Sequence, residues 1–480
     1  MSVKKIPLQF KTDIPPAGET EVVNPFDGSV IATLETAGEK HINELLETAK
    51  ELYDDRAGWL TVQKRVEILE RTASIISERE DDLIKQAAGE GGKPYNDSKV
   101  EIYRASDSAK IAAETIRTEA GNVIPMGGDL YSANRAAFTQ KEPIGVVVAV
   151  SAFNHPLNLI VHQVGAAVAA GCPVIVKPAV ETPLSCVSFK DILVEAGLPP
   201  EWCQVVITDS NDTAQALVTD ERTAFFSFIG SSRVGWSLRS KLAPGTRCAL
   251  EHGGVAPALV YPDADMERAA VLLAKGGFYH AGQVCVSTQR IYVQKKEGRR
   301  FVSLLQKEAQ SLKVGDPALK STQVGPLIRP SEVERVHKWV TQAVKEGAEL
   351  VCGGKPVLDT CYEPTVLLNP SDKSLVSTEE IFGPVVCIYE VDDMEDAVAR
   401  ANGLDVAFQS SVFTSDIDTA LATAKKLNAS GVMVNDHTAF RIDGMPFAGL
   451  KKSGLGTGGI PHTIKDMSVE KMVVLRSDGI

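Results

Sequence analysis

The sequence predicts an α/β protein: two domains in series, each built on a parallel sheet, with a small β extension. Three observations predict it. The 480-residue length exceeds what one hydrophobic core serves. From about residue 144 onward, short apolar runs alternate with helical stretches at the spacing of βαβ units. Those runs, such as IGVVVAV (144–150), are continuously apolar rather than alternating, as strands buried on both faces of a parallel sheet must be.

Taken in order, residues 38–120 read as mostly helical, with apolar residues at helical spacing over 41–52, 62–84 and 99–116. The first strand (144–150) leads to a helix over 157–170. PVIVKP (173–178), a helix over 184–197 ending on Gly197, CQVVIT (203–208), a helix over 212–218 and FFSFIG (225–230) continue the alternation. A second α/β block begins near Cys248. Its strands are PALVYP (257–262), RIYVQ (290–294) and PVVCIYEV (384–391), and its helices lie over 266–275 and 299–312. The flanks 124–142 and 463–480 alternate weakly, as edge strands do, and fit neither core. Uncovered, such a pair invites association, so they are expected to meet another subunit.

Composition narrows the partners. A formal net charge of -12 argues against a nucleic-acid backbone or an anionic membrane surface. No apolar stretch is long enough to span a bilayer, and the first residues lack the apolar run of a signal peptide. The eight cysteines are scattered without a C-x-x-C pair, which argues against a zinc ribbon or a dithiol redox site and fits thiols in a reducing cytoplasm. No metal site is expected.

Six segments carry polar or reactive side chains where an α/β cleft would place them. In HAGQVCVSTQR (280–290), small neighbours leave the sulfur of Cys285 open to a carbonyl, although an isolated cysteine is more often a buried small hydrophobe. In LEHGGVAP (250–257), Glu251 is a carboxylate at a strand end, a candidate general base or a surface residue before a turn. SAFNHPLN (151–158) follows a strand at its carboxyl end, where ligands bind in open sheets; the Asn154 amide there suits a developing oxyanion or simply a turn. VKPAVETP (176–183) places Lys177 at the next strand end, facing ribose hydroxyls or solvent. FIGSSRVG (228–235) runs from strand through Gly230 to a helix opening with Gly235, a weak form of a pyrophosphate-binding turn. EEIFGPV (379–385) adds the carboxylate of Glu380 and the ring of Phe382.

The order of these segments carries the assignment. From GEGGKP (89–94) to PFAGLKKSG (446–454) the chain resembles the aldehyde dehydrogenase superfamily. The resemblance implies two Rossmann-like domains, a dinucleotide-binding one (1–123 and 143–250) and a catalytic one (251–462), with 124–142 and 463–480 as an oligomerisation extension. It implies Cys285 as nucleophile, Glu251 as general base and Asn154 as oxyanion donor. Lys177 and Glu380 would bind the cofactor riboses, Ser231 with its neighbouring glycines the pyrophosphate, and Phe382 would pack by the nicotinamide ribose. NAD or NADP is implied as cofactor, and a homodimer or homotetramer as the assembly.

Departures from the pattern bear on cofactor and substrate. Val180 stands where NAD-preferring members often carry Glu, which removes one barrier to NADP, although Glu181 is adjacent. The motif SGLGTGGI (453–460) lacks a glutamate common there, and AFNHP replaces an aromatic-rich motif around Asn154. By resemblance, Arg104, His155 and Arg441 line the substrate funnel. Three cationic or potentially cationic groups suit a small anionic aldehyde, as in the branch of phosphonoacetaldehyde, lactaldehyde and sulfolactaldehyde dehydrogenases. In the competing reading they are structural, with Arg104 paired to Glu101 or Asp107 and Arg441 to Asp443. Neutral or longer aldehydes, a catalytically silent binding protein and a simple esterase are the rival functions.

Overall fold

Two largely parallel sheets frame the molecule. The strands foreseen from apolar runs lie in them beside Glu349–Cys352, Thr365–Leu368, Gln409–Phe413, Gly431–Val434 and Gly454–Leu455, which are unassigned from sequence. The computed structural model describes residues 3–479; residues 1, 2 and 480, at the ends of the expected ranges, lie outside the described residues. The first sheet has six strands in the order Gly454–Leu455, Arg247–Glu251, Thr223–Ile229, Val146–Val150, Val174–Lys177 and Cys203–Val205. All pair in parallel except the first, which runs antiparallel to Arg247–Glu251. The second has seven, ordered Glu349–Cys352, Thr365–Leu368, Val385–Val391, Thr288–Gln294, Ala256–Val260, Gln409–Phe413 and Gly431–Val434, with only Glu349–Cys352 antiparallel.

Helices cover these sheets because their apolar stripes need a partner surface. Tyr95–Thr118 packs along Val62–Glu78 through small and branched residues, among them Ala105, Ala109 and Ala112, all fully buried. The expected single helix over 62–84 is two, broken at Arg79, which leaves helical geometry before Glu80–Gly91 begins. The helix expected over 157–170 forms, with a π-helical segment at Val161–Gly165. That extra residue in the turn is a feature common at functional sites. Residues 4–36, unassigned from sequence, hold a three-stranded sheet of Lys4–Ile6, Val30–Thr36 and Gly18–Val23.

The flanking segments do pair. Ser468–Arg476 runs antiparallel to Arg135–Pro143 over nine residues, and Val123–Ile124 completes this third sheet. One boundary needs correction: residues 454–462, expected with the second sheet, return to the first. Leu455 and Gly454 pair with Leu250 and Glu251. Ile460, Ile464 and Met467 are fully buried in the first core, and the Met467 carbonyl accepts the Ile144 N–H at 3.0 Å.

Candidate active site

Strand ends of both sheets face one cavity of about 960 Å³, lined by Cys285, Glu251, Asn154, Glu380, Phe382, Gly230 and Ser231 among others. Its position at the carboxyl ends of parallel strands is where open α/β sheets bind ligands.

Cys285 lies in the loop between the helix Met266–Phe278 and the strand Thr288–Gln294. The loop enters through His280 and Ala281, both left-handed (φ 48° and 54°), a conformation costly for residues with a Cβ. Surrounding bonds hold it there. The His280 N–H donates to Asp97 Oδ2 at 3.0 Å, and Gln283 accepts from Ile328 N and donates to Pro326 O at 3.0 and 3.2 Å. The half-buried sulfur packs against Phe447 and Phe408, and burial pushes its thiol up to about 12. Arg441 pulls it down, while Glu380 and Glu251 push it further up.

Asn154 donates from Nδ2 to the Gln283 carbonyl at 2.9 Å, which fixes the amide two residues before the sulfur in sequence. One of its two N–H bonds is thereby used, and the other is left to donate elsewhere. The Asn154 backbone is itself clamped. Lys93 Nζ donates to its carbonyl at 3.3 Å and to Glu101 Oε2 at 2.6 Å, while Glu101 Oε1 accepts the N–H groups of Leu157 and Asn158. Both charged side chains are 0% exposed. Sequence reasoning missed this pair; the lysine was visible only as part of GEGGKP.

Glu251 ends its strand with the carboxylate against Gly458, where a Cβ would collide with Oε1. Gly458 thus gives the motif 453–460 a role that the sequence did not show. Burial raises the Glu251 carboxyl, against the pull of Arg441. The Gly254 N–H donates to the Cys285 carbonyl at 3.0 Å, so the segment that follows Glu251 and the cysteine loop are joined directly.

The cofactor half of the cavity fits a dinucleotide. Glu380 is buried over Gly253, where no side chain fits, its Oε1 has no hydrogen-bond partner, and burial raises it to about 8. Ribose hydroxyls would satisfy it. Phe382, left-handed at φ 48°, sets its ring edge-on to Phe153 at 5.8 Å. Gly230 closes a strand, and Ser231 stands at the N-cap of the helix Ser232–Arg239 with no side-chain cap bond. Two expectations change. The helix opens at Ser232, and Gly235 lies inside it, turned to the sheet; a Cβ there would strike His252 and Phe228, so this glycine serves helix–strand contact. Lys177 and Val180 stand outside the lining, which Ala179 and Glu181 supply. The Lys177 ammonium has only the Pro178 carbonyl, at 3.5 Å, as a hydrogen-bond partner among the described residues. Glu181 is engaged by Arg329 at 3.0 Å.

In the substrate half, both expected pairings of the arginines are corrected. Arg104 pairs neither with Glu101 nor Asp107 but in a fork with Asp443, Nη2 to Oδ1 at 2.7 Å and Nε to Oδ2 at 3.0 Å. Asp443 is therefore not the partner of Arg441. Arg441 lies over the Phe447 ring at 3.6 Å, forms no ion pair among the described residues, and has a buried Nε without a partner. His155 is not a cation. Burial holds it well below its ordinary pKa, with Lys93, Arg104, His280 and Arg441 opposing a further charge. It lies beside Tyr279, ring centroids 6.1 Å apart, as a neutral ring.

Among the described residues no cluster of histidine, cysteine or carboxylate groups suits a metal, and no helix is long and apolar enough to cross a membrane.

The pattern of the aldehyde dehydrogenase family matches residues 14–473. A 3-sulfolactaldehyde dehydrogenase of Priestia aryabhattai is 37% identical over 459 residues, covering 96% of this chain and 95% of its own. The glyceraldehyde-3-phosphate dehydrogenase of Methanocaldococcus jannaschii, solved with NADP, is 34% identical with a TM-score of 0.91, over 96% of this chain and 100% of that one. Aldehyde dehydrogenase 21 from Physcomitrella patens, solved with the reaction product succinate, is 32% identical with a TM-score of 0.94, over the full length of both. With the family pattern spanning almost the whole sequence, this chain belongs to the aldehyde dehydrogenase family.

Proposed function

We propose that the protein oxidises a small aldehyde bearing an anionic group to the carboxylate, with NAD or NADP as oxidant. The observation that carries this reading is one cavity shared by Cys285, Asn154, Glu251 and an Arg441 that has no ion-pair partner among the described residues and a buried Nε without a hydrogen bond. In this mechanism the Cys285 thiolate adds to the aldehyde carbon, and the Asn154 amide and the Cys285 N–H hold the resulting alkoxide. The nicotinamide, when bound, supplies a hydride acceptor. The acyl group left on sulfur is a thioester, and Glu251 takes the proton of the water that hydrolyses it.

Glu380 and Phe382 would hold the nicotinamide-side ribose and Gly230 and Ser231 the pyrophosphate, while Lys177, outside the lining that Ala179 supplies, would have to turn toward the cavity to meet the adenosine ribose. Val180 offers no carboxylate to repel a 2′-phosphate and Glu181 is tied to Arg329, so both cofactors are accepted. Arg441 and its surroundings receive the anionic group. The names of the relatives support this: a sulfonated and a phosphorylated aldehyde are named for two of them, and succinate is the product bound to a third. The paired strands 135–143 and 468–476, with Met472, Val474 and Leu475 exposed, support a homodimer or homotetramer, checked by the mass in light scattering.

A substrate panel run with both cofactors tests the activity. Sulfoacetaldehyde should exceed propionaldehyde in kcat/KM, and Arg441→Gln should remove about 1.5–3 kcal/mol of that advantage, roughly ten- to a hundred-fold. Equal loss on the neutral aldehyde would assign Arg441 to the sulfur instead.

A further inference from the structure

Asp443, absent from the sequence-level site, is the centre of the charge pattern in the substrate half. Its buried carboxylate accepts four bonds: the Arg104 fork, His162 Nε2 at 2.7 Å and Asn158 Nδ2 at 3.0 Å. The charge of Arg104 is thus cancelled where it stands. His162 is neutral by geometry as well as by burial. Its Nε2 donates to Asp443, and its Nδ1 faces Arg441 Nη2 at 3.4 Å, where only an unprotonated nitrogen can accept. Burial holds it at about 4. The π-helical segment Val161–Gly165 is what carries His162 to this position.

The other charges facing the funnel are matched in sign or neutral, and Lys275 is exposed and forms no ion pair among the described residues. Lys93 is matched by Glu101 at 2.6 Å. Asp97 and Lys275, of opposite sign, both line the cavity. His155 and His280 are neutral, both held low by burial. Glu251 and Glu380 stand toward Cys285 rather than the funnel, and burial raises both carboxyls, Glu251 against the pull of Arg441. Among the described residues one part-buried cation of the funnel, Arg441, is left without an ion-pair partner.

We propose that Asp443 sets the charge of the substrate's tail: by neutralising Arg104 it leaves Arg441 as the one part-buried funnel cation without an ion-pair partner among the described residues, so the funnel selects a monoanionic sulfonate or carboxylate over a dianionic phosphonate or phosphate. A dianion would bring a second negative charge, unmatched, into a desolvated pocket beside the Asp443 carboxylate. This rests on the anionic-aldehyde reading above and narrows it to one charge state.

The test uses a property of the probes. Sulfoacetaldehyde is monoanionic at every working pH, whereas phosphonoacetaldehyde loses a second proton near neutrality, as phosphate monoesters do. On the unmodified enzyme, kcat/KM for the two is measured from pH 6 to 9, with propionaldehyde as the uncharged reference. The phosphonate-to-sulfonate ratio should fall about tenfold per pH unit above that ionisation, because only the monoanion is taken. Titration of the enzyme's own groups cancels in the ratio. Asp443→Asn, which frees the Arg104 charge, should raise the ratio at pH 8 at least tenfold. If it does not fold, the ratio on the unmodified enzyme decides alone. If both anions outrun propionaldehyde but the ratio is constant or rises with pH, the charge selection is overturned and the anionic-aldehyde reading stands. If neither anion outruns propionaldehyde, both fall.

Discussion

Removing one member of the Lys93–Glu101 pair is expected to be more damaging than removing both. The two charges meet at 2.6 Å with neither side chain exposed. Lys93→Met would leave the Glu101 carboxylate with only the Leu157 and Asn158 N–H groups, and Glu101→Gln would leave an ammonium bonded to the Asn154 carbonyl. An ion buried without its counter-ion costs about 3–5 kcal/mol, whereas replacing a buried pair by neutral groups of similar volume is often close to neutral. The double variant should therefore be more stable than the sum of the single losses predicts, by at least about 2 kcal/mol. Urea midpoints at unchanged slope measure this. The same variants report on catalysis. Because the clamp fixes the backbone of Asn154, the single variants should lower kcat by about ten- to a hundred-fold well below their melting range, as a displacement of about 1 Å in a catalytic group does. Single losses under about 1 kcal/mol, or losses that add, would refute the reasoning.

Glu251→Gln should keep a first-turnover burst of reduced cofactor while steady-state turnover falls by about 10²–10⁴, since only thioester hydrolysis needs the base; loss of the burst in stopped-flow absorbance would remove Glu251 from that role. Burial has raised the Cys285 thiol to about 12, so in the enzyme alone the thiolate fraction, and with it iodoacetamide labelling, should still be climbing about tenfold per unit at pH 9. Arg441→Gln removes the cation that pulls the thiol down and should slow that labelling at any given pH; a plateau reached by pH 8 would contradict both statements.

The central sheet strands were legible because parallel strands buried on both faces write themselves as unbroken apolar runs; Val146–Val150 and Val385–Val391 fall where the sequence puts them, whereas Gln409–Phe413, which carries Gln and Ser, and the short Thr365–Leu368 went unassigned. The N-terminal sheet was not legible either, since strands such as Gly18–Val23 are mostly exposed and carry no such run. Cys285, Glu251, Asn154 and Glu380 were legible as an order of motifs, and the fold brings them to one cavity. Pairings across the fold were not. Asp443 takes Arg104 from 339 positions away, and no local spacing encodes that choice. The charge state of His155 depends on burial beside Lys93, Arg104 and Arg441, which a one-dimensional reading treats as independent.

The return of the chain to its first sheet has a consequence for how the protein is made. Glu251 waits for Gly454, roughly 200 residues later, before its strand gains its second neighbour. At a synthesis rate of about 5–20 residues per second, that interval is roughly 10–40 s. Until then Arg247–Glu251 is a bare sheet edge, and the core that Ile460, Ile464 and Met467 complete is open. The half of the molecule translated first is therefore the half finished last. A stop codon a few residues before Gly454 would leave the second sheet's strands all present and deprive the first of its closing edge.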